Sequence, residues 1–283
     1  MKFVPMKELL TEARKGGYAV PSFCVWNAET LLAVMETAEK MRSPVIVMNG
    51  PAELGLLPPE IFAGMAREIV SGFNVPTALH LDHGDSVELI RRAISSGYTS
   101  VMLDFSLRPF DENVRAMKEV VEIARSCGVT VEGEIGHVGK VDAVTLEGGG
   151  DSTLTSPQEA ETFAGKTGVD ALAVSIGNAH GQYTRLPKLD FERLSAIGEA
   201  VEIPLVLHGG SGTPDADIRR AISLGMAKIN VATDLVAAWR ESIRTQWAAG
   251  RNMWAPMAMA DAVKAMLPVI ERWIRLTGAE GRA

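Results

Sequence analysis

The chain has 283 residues, 47% of them hydrophobic, which is enough for a full core and suits either two small domains or one large α/β barrel. Its 28 basic and 35 acidic side chains leave a net charge of −7, which gives no electrostatic pull toward nucleic acid or an anionic membrane surface. An anionic substrate therefore needs a local positive device, such as a metal or a helix N-terminus.

Two cysteines, Cys24 and Cys127, exclude a disulfide framework, and no CxxC spacing is present. The N-terminal MKFVPMKELLTEARKGG carries charges throughout and lacks an apolar segment of signal-peptide length, and no apolar run is long enough to span a membrane. The chain reads as a soluble cytoplasmic protein.

Short β-rich apolar runs alternate with helical patterns from one end to the other. The predicted strands are 18–25, 44–50, 75–84, 100–106, 130–136, 171–177, 204–212 and 227–233. Amphipathic stretches at 29–41, 86–97, 113–128 and 216–225 lie between them, several ending in a helix-stopping glycine. Repeated βα units with continuously apolar strands predict a closed parallel (β/α)8 TIM barrel in a single domain, residues 1–283. An open doubly wound sheet is the alternative, but no GxGxxG follows the first strand.

The segment 137–157, rich in Gly, Ser and Thr, reads as a long loop at the catalytic face. Residues 248–283 read as a C-terminal helical extension, with a helical pattern over 260–274 that caps the barrel or packs on a partner subunit.

His83, His180 and His208 each stand at or just past the end of a predicted strand. Barrel strands converge there, so three distant imidazoles can meet around one ion and leave a fourth position open, as in a catalytic zinc site. An isolated strand-end histidine is more often an ordinary hydrogen-bonded residue, but three of the five histidines share this location. His80 reads as a core residue or the partner of a ligand, and His137 as solvated. Asp82 adjoins His83 and suits a general acid and base, or alternatively a group that orients a histidine ring. Asp104 and Glu134 end the fourth and fifth strands and could hold a second cation position or a ligand histidine. HGGSG (208–212) reads as a glycine-rich turn exposing amides to a phosphate, and Asn230 as a donor to a developing oxyanion. Lys228 reads as structural or close to the phosphate.

These motifs, HLDHG, VEGEIG, NAHG, LHGGSG and KINVATD in that order, resemble the class II zinc-dependent ketose-bisphosphate aldolases over nearly the whole chain. The ending EGRA is most similar to the tagatose-bisphosphate branch, with the fructose-bisphosphate enzymes next. The resemblance implies Zn2+ on His83, His180 and His208, with Glu134 and Asp104 lining an alternate metal position. It implies Asp82 as proton shuttle, Asn230 at the enediolate, and contacts to dihydroxyacetone phosphate from Gly181, Gly209, Gly210, Ser211, Asn230, Val231, Ala232 and Thr233. It further implies a monovalent cation (Na+ or K+) near the phosphate, a homodimer or homotetramer, and an accessory subunit as in the tagatose branch.

The sequence departs from that family where Cys24 replaces an asparagine and where Asn49 and Gly50 stand near a usual Ser or Thr, at the far end of the substrate. SHLPF reads SLRPF here, placing Leu107 and Arg108. The loop glutamate that moves a proton at carbon aligns with Asp142, and Glu147 is its possible substitute. Besides the aldolase, two other functions fit the residues: a metal-dependent sugar-phosphate isomerase or epimerase, and a non-catalytic sugar-phosphate-binding accessory subunit.

Overall fold

The computed structural model describes residues 3–139, 153–181, 186–251 and 254–283. Eight strands, β1 (Val20–Cys24), β2 (Val45–Asn49), β3 (Thr77–Gly84), β4 (Ser100–Leu103), β5 (Thr130–Ile135), β6 (Ala171–Val174), β7 (Leu205–Leu207) and β8 (Met226–Val231), pair in sequence order into a closed barrel. All neighbouring pairs are parallel, and β8 closes on β1 with Ser22 opposite Asn230.

The helices are α1 (Met6–Gly16), α2 (Ala28–Met41), α3 (Pro51–Leu54), α4 (Pro59–Val70), α5 (Val87–Ser96), α6 (Phe110–Ser126), α7 (Pro157–Thr167), α8 (Phe191–Ala200), α9 (Asp215–Ser223), α10 (Thr233–Ala248) and α11 (Ala255–Leu276). Local chemistry fixes several ends. Asn27 and Thr30 cap α2 reciprocally, Ser156 and Glu159 do so for α7, and Gly97 and Gly168 close α5 and α7 in the left-handed region.

Among the described residues two large apolar clusters, and a small third of Ile243, Ala258 and Ala262, are buried. Outward strand residues such as Phe23, Leu79, Val101, Leu172 and Ile229 pack under the helices against Met35, Phe62, Ile90 and Phe163. A smaller cluster fills the N-terminal end of the barrel, where Met6, Leu9, Leu10 and Ala13 of α1 meet Val20, Ile46, Ala78, Ala173 and Val206. Thus α1, which has no strand before it, plugs the end opposite the strand termini. α11 packs on this chain's own α10, α2 and β1, with Trp273 fully buried and its Nε1 donating to Asp234 Oδ2 at 2.9 Å. Among the described residues no helix is long and apolar enough to cross a membrane.

Except for β3, which ends at Gly84 as expected, the strands end earlier than the apolar runs suggest. After Val174, side chains replace the ladder: Thr155 Oγ1 accepts from Ser175 N at 2.8 Å and Asn178 Oδ1 from Ile176 N at 2.9 Å. His208 likewise lies one residue beyond β7. These early exits turn the chain across the barrel mouth.

Candidate metal centre and active site

His83 owes its direction to an irregularity. The β3–β4 register shifts between Leu81 and Gly84, and His83 adopts φ 47, the left-handed region that a non-glycine residue occupies at a cost. Strict alternation would send Asp82 inward and His83 outward. The bulge lets both face the mouth.

Each histidine is oriented through the nitrogen it does not offer to a metal. His83 Nδ1 donates to Asp104 Oδ2 at 2.7 Å, and Asp104 Oδ1 in turn accepts from Ser106 N at 3.1 Å and Ser106 Oγ at 2.7 Å. His180 Nδ1 donates to the Val138 carbonyl at 3.2 Å. His208 Nε2 donates to Glu132 Oε1 at 2.9 Å. With those protons assigned by their acceptors, the remaining nitrogens carry lone pairs.

The three lone pairs converge. His83 Nε2 lies 3.2 Å from His180 Nε2, and one ligand nitrogen from each of the three rings lies within 4.8 Å of the others. Two acceptor nitrogens at that separation repel unless a cation sits between them. His208 Nδ1 is buried with no hydrogen-bond partner, 3.1 Å from Glu134 Oε2, which also lacks one. Imidazole nitrogens about 2.1 Å from a tetrahedral ion would be roughly 3.4 Å apart, so this donor set fits a divalent metal of the zinc type.

The electrostatics agree. Burial lowers the His208 pKa, but Glu132, which accepts from its Nε2, and the charges of Asp82 and Glu134 outweigh it and hold the ring up to about 10. The surroundings of Nδ1 therefore call for positive charge. Burial and the charges of His83 and His208 push His180 down to about 4, which leaves its imidazole neutral and able to ligate.

Asp82 lies beside the cluster, its Oδ1 accepting from Asn230 Nδ2 at 3.0 Å and its Oδ2 3.9 Å from His83 Nε2. Burial raises its pKa, but the charge of His83, a hydrogen bond from His80, and the charges of His208 and Lys228 hold it well below the usual carboxylate range. It is partly exposed whereas Glu132 and His80 are sealed, so a substrate can reach Asp82 but not Glu132.

At the same mouth, beyond β1, the β7 and β8 loops run side by side. Gly210 N donates to the Asn230 carbonyl at 3.2 Å, and Ser211 Oγ accepts from Asp234 N at 3.1 Å in the first turn of α10. Gly209 has φ 66, and a Cβ there would collide with the Ala179 carbonyl oxygen. α10 has no capping side chain of its own at Ala232; Ser211 Oγ takes the Asp234 amide, and the positive end of the helix dipole still favours an anion beside this turn.

The sequence matches the class II fructose-bisphosphate aldolase family over residues 4–282. The chain belongs to that family. As a class II aldolase it is a carbon–carbon lyase, and enzymes of this class are zinc-dependent. It is similar to the YdjI aldolase from Escherichia coli K12, with 37% identity over all of both chains and a TM-score of 0.89. It also resembles a protein from Coccidioides immitis assigned as a fructose-1,6-bisphosphate aldolase, at 32% identity over 97% of this chain and 96% of that one, TM-score 0.87. The fructose-bisphosphate aldolase of Campylobacter jejuni shares the fold, with TM-score 0.84 and 22% identity over 100% and 97% of the two chains.

Several expectations change in this aldolase. Of the two carboxylates expected to line an alternate metal position, only Glu134 faces the three-nitrogen focus. Asp104 takes the second of its two expected roles rather than a metal position, because its carboxylate holds the far nitrogen of His83 and so orients a ligand instead of facing the ion. His137 is half-buried, with Nδ1 3.0 Å from Ser106 Oγ, rather than solvated. Asn49 does not line the site: it faces the outer layer, where Oδ1 accepts from Tyr98 OH at 2.9 Å and the residue is fully buried. Val231 is also sealed in the outer core, which leaves only its backbone for a ligand. Leu107 is exposed, and Arg108 lies over the Phe105 ring. Asp142 and Glu147 lie outside the described residues.

Sequence reasoning missed Glu132, which orients His208 and anchors Lys228. The signal was present in VEGEIG, where residues 132 and 134, two apart on a strand, must share one face. Lys228 Nζ lies 2.7 Å from Glu132 Oε2 and 3.2 Å from His80 Nε2, inside the barrel. Its ammonium fills the focus of a second group, His80, Asp82 and Glu132, whose ligand atoms also lie within 4.8 Å of one another.

Proposed function

We propose that the chain cleaves a phosphorylated ketose reversibly to dihydroxyacetone phosphate and an aldehyde, with a divalent metal held by His83, His180 and His208 and Glu134 beside it. The observation that carries the reading is the pair of opposed lone pairs on His83 and His180, 3.2 Å apart, next to the unpartnered His208 Nδ1 and the reachable Asp82 carboxylate.

A bound divalent ion supplies Lewis-acid polarisation of the ketose carbonyl and charge stabilisation as the C3–C4 bond breaks. Asp82 takes the proton of the C4 hydroxyl. The electron pair of the C3–C4 bond moves onto the ketose fragment, so that C4 leaves as the aldehyde carbonyl and the enediolate of dihydroxyacetone phosphate remains. Asn230 fixes Asp82 through one amide hydrogen and has a second for the enediolate oxygen. Protonation at C3 completes the turnover, a role that the family resemblance gives to Asp142. The loop segments around Gly181, Gly209, Gly210 and Ser211, with Val231 at the end of β8 and Ala232 and Thr233 leading into α10, hold the phosphate.

The test combines metal analysis of the purified chain with enzyme-coupled detection of triose phosphate from a panel of phosphorylated ketoses, with and without a chelator. The expected result is close to one divalent equivalent per chain and triose phosphate release that stops on chelation and returns with Zn2+. A chain that holds no divalent ion, or one that interconverts ketoses without releasing triose phosphate, sinks the reading.

A further inference from the structure

The barrel mouth is polarised, and among the described residues its second rim shows no device for an anion. On the β7–β8 side stand the N-terminus of α10 and the glycine turn. On the β1–β2–β3 side stand Cys24, Gly50, Glu53 and Asp82. Cys24 lies one strand step beyond Ser22, which pairs with Asn230, and is partly exposed. Its Sγ lies 3.8 Å from Glu53 Oε1, while Glu53 Oε2 accepts from Gly50 N at 2.9 Å. The Gly50 backbone approaches Asp82 so closely that a Cβ would lie 3.0 Å from the Asp82 carbonyl. Glu53 is thus fixed over the ends of β1, β2 and β3. Burial raises the Cys24 pKa, and the negative charges of both Glu53 and Asp82 push it higher, so both act on the same point.

We infer that Glu53 is a specificity-determining residue that reserves this end of the site for an unphosphorylated, hydroxyl-bearing aldehyde half, so that the substrate is a ketose 1-phosphate rather than a bisphosphate. This rests on the aldolase reading above. With the phosphate at the β7–β8 rim and C4 at Asp82, the carbons beyond C4 run toward Cys24 and Glu53. A terminal phosphate dianion there would face two carboxylates, and among the described residues no lysine or arginine pairs with Glu53. A polyol end fits better. A carboxylate has about four acceptor positions, of which the Gly50 amide and the Cys24 thiol engage two, leaving room for substrate hydroxyls. Asn230 Oδ1, buried and without a partner, is a further acceptor near the same strands.

The experiment uses the full chain reconstituted with Zn2+. Steady-state cleavage of D-fructose and D-tagatose 1-phosphates is compared with that of the corresponding 1,6-bisphosphates, and condensation of dihydroxyacetone phosphate with glyceraldehyde is compared with glyceraldehyde 3-phosphate. The expected kcat/KM favours the singly phosphorylated partner in each pair by about tenfold or more. Glu53→Gln, which keeps an acceptor for the Gly50 amide, should narrow that ratio about tenfold, chiefly by lowering KM for the bisphosphates. A tenfold preference for bisphosphate, or an unchanged ratio in Glu53→Gln with native circular dichroism, overturns the inference. Hydrogen exchange at C3 of dihydroxyacetone phosphate without any aldehyde separates the two levels. Exchange together with bisphosphate preference removes only the role of Glu53, whereas absence of exchange removes the aldolase reading and this inference with it.

Discussion

The ammonium of Lys228 lies 2.7 Å from the carboxylate of Glu132, and both side chains are fully buried inside the barrel. Glu132 uses its other oxygen to hold His208, so one internal ion pair supports the orientation of a metal ligand. Burial raises the Glu132 pKa, but the charges of Lys228 and His80 and the His208 hydrogen bond bring it down to about 2. Lys228→Met leaves that carboxylate buried and unpaired, which should destabilise the protein by about 3–5 kcal/mol in urea unfolding near neutral pH. The folded pKa is depressed, so the stabilisation is full above the unfolded carboxylate range near pH 4.5 and is lost as pH falls toward 2. The gap between wild type and variant should therefore shrink between pH 5 and about pH 3; a gap that stays constant would show that the ion pair is not its source.

Asp104 reaches the metal only through His83. Asp104→Ala should weaken zinc affinity by about 10–100-fold, read by competition with a chromophoric chelator, while the fold persists. His208→Ala should abolish stoichiometric binding in the same assay. Retention of one tightly bound equivalent in His208→Ala would reject the three-histidine centre.

Asp82→Ala should keep the metal and lose turnover by about 10² or more, as removal of a positioned acid or base does. Zinc content and triose phosphate release measured on one preparation separate the two effects. Undiminished turnover would remove Asp82 from the chemistry.

Gly209 stands at φ 66 with the Ala179 carbonyl against the position of a Cβ. Gly209→Ala should cost about 2 kcal/mol or more of stability and raise KM for a phosphorylated ketose, because the clash displaces the loop that carries the phosphate amides. Unchanged KM and melting temperature would contradict the observed packing.

Leu10 of α1 is fully buried at the end of the barrel away from the strand termini. Leu10→Ala should cost about 2–5 kcal/mol in unfolding free energy. Zinc affinity measured well below the melting temperature should not change, since the plug and the metal centre occupy opposite ends.

The eight strands and the long αβ repeats were legible because strands buried on both faces must be continuously apolar, and that signal is local. The three histidines could be named for the same reason, since strand ends can be read from sequence and parallel strands of a barrel all end on one face. α1 was not legible as a plug, because an amphipathic stretch preceding the first strand carries no mark of which surface it covers.

What the sequence by itself determined, then, is the order of elements and the end of the barrel where the chemistry gathers. The tertiary structure alone decided which atoms face one another. A one-residue bulge in β3 brings Asp82 and His83 to the same mouth, Asp104 takes the outer nitrogen of His83, and Lys228 fills a second ring of potential ligands. Those outcomes depend on register and on the approach of strands far apart in sequence. No pattern along a single segment encodes the distance between side chains that meet only when the cylinder closes.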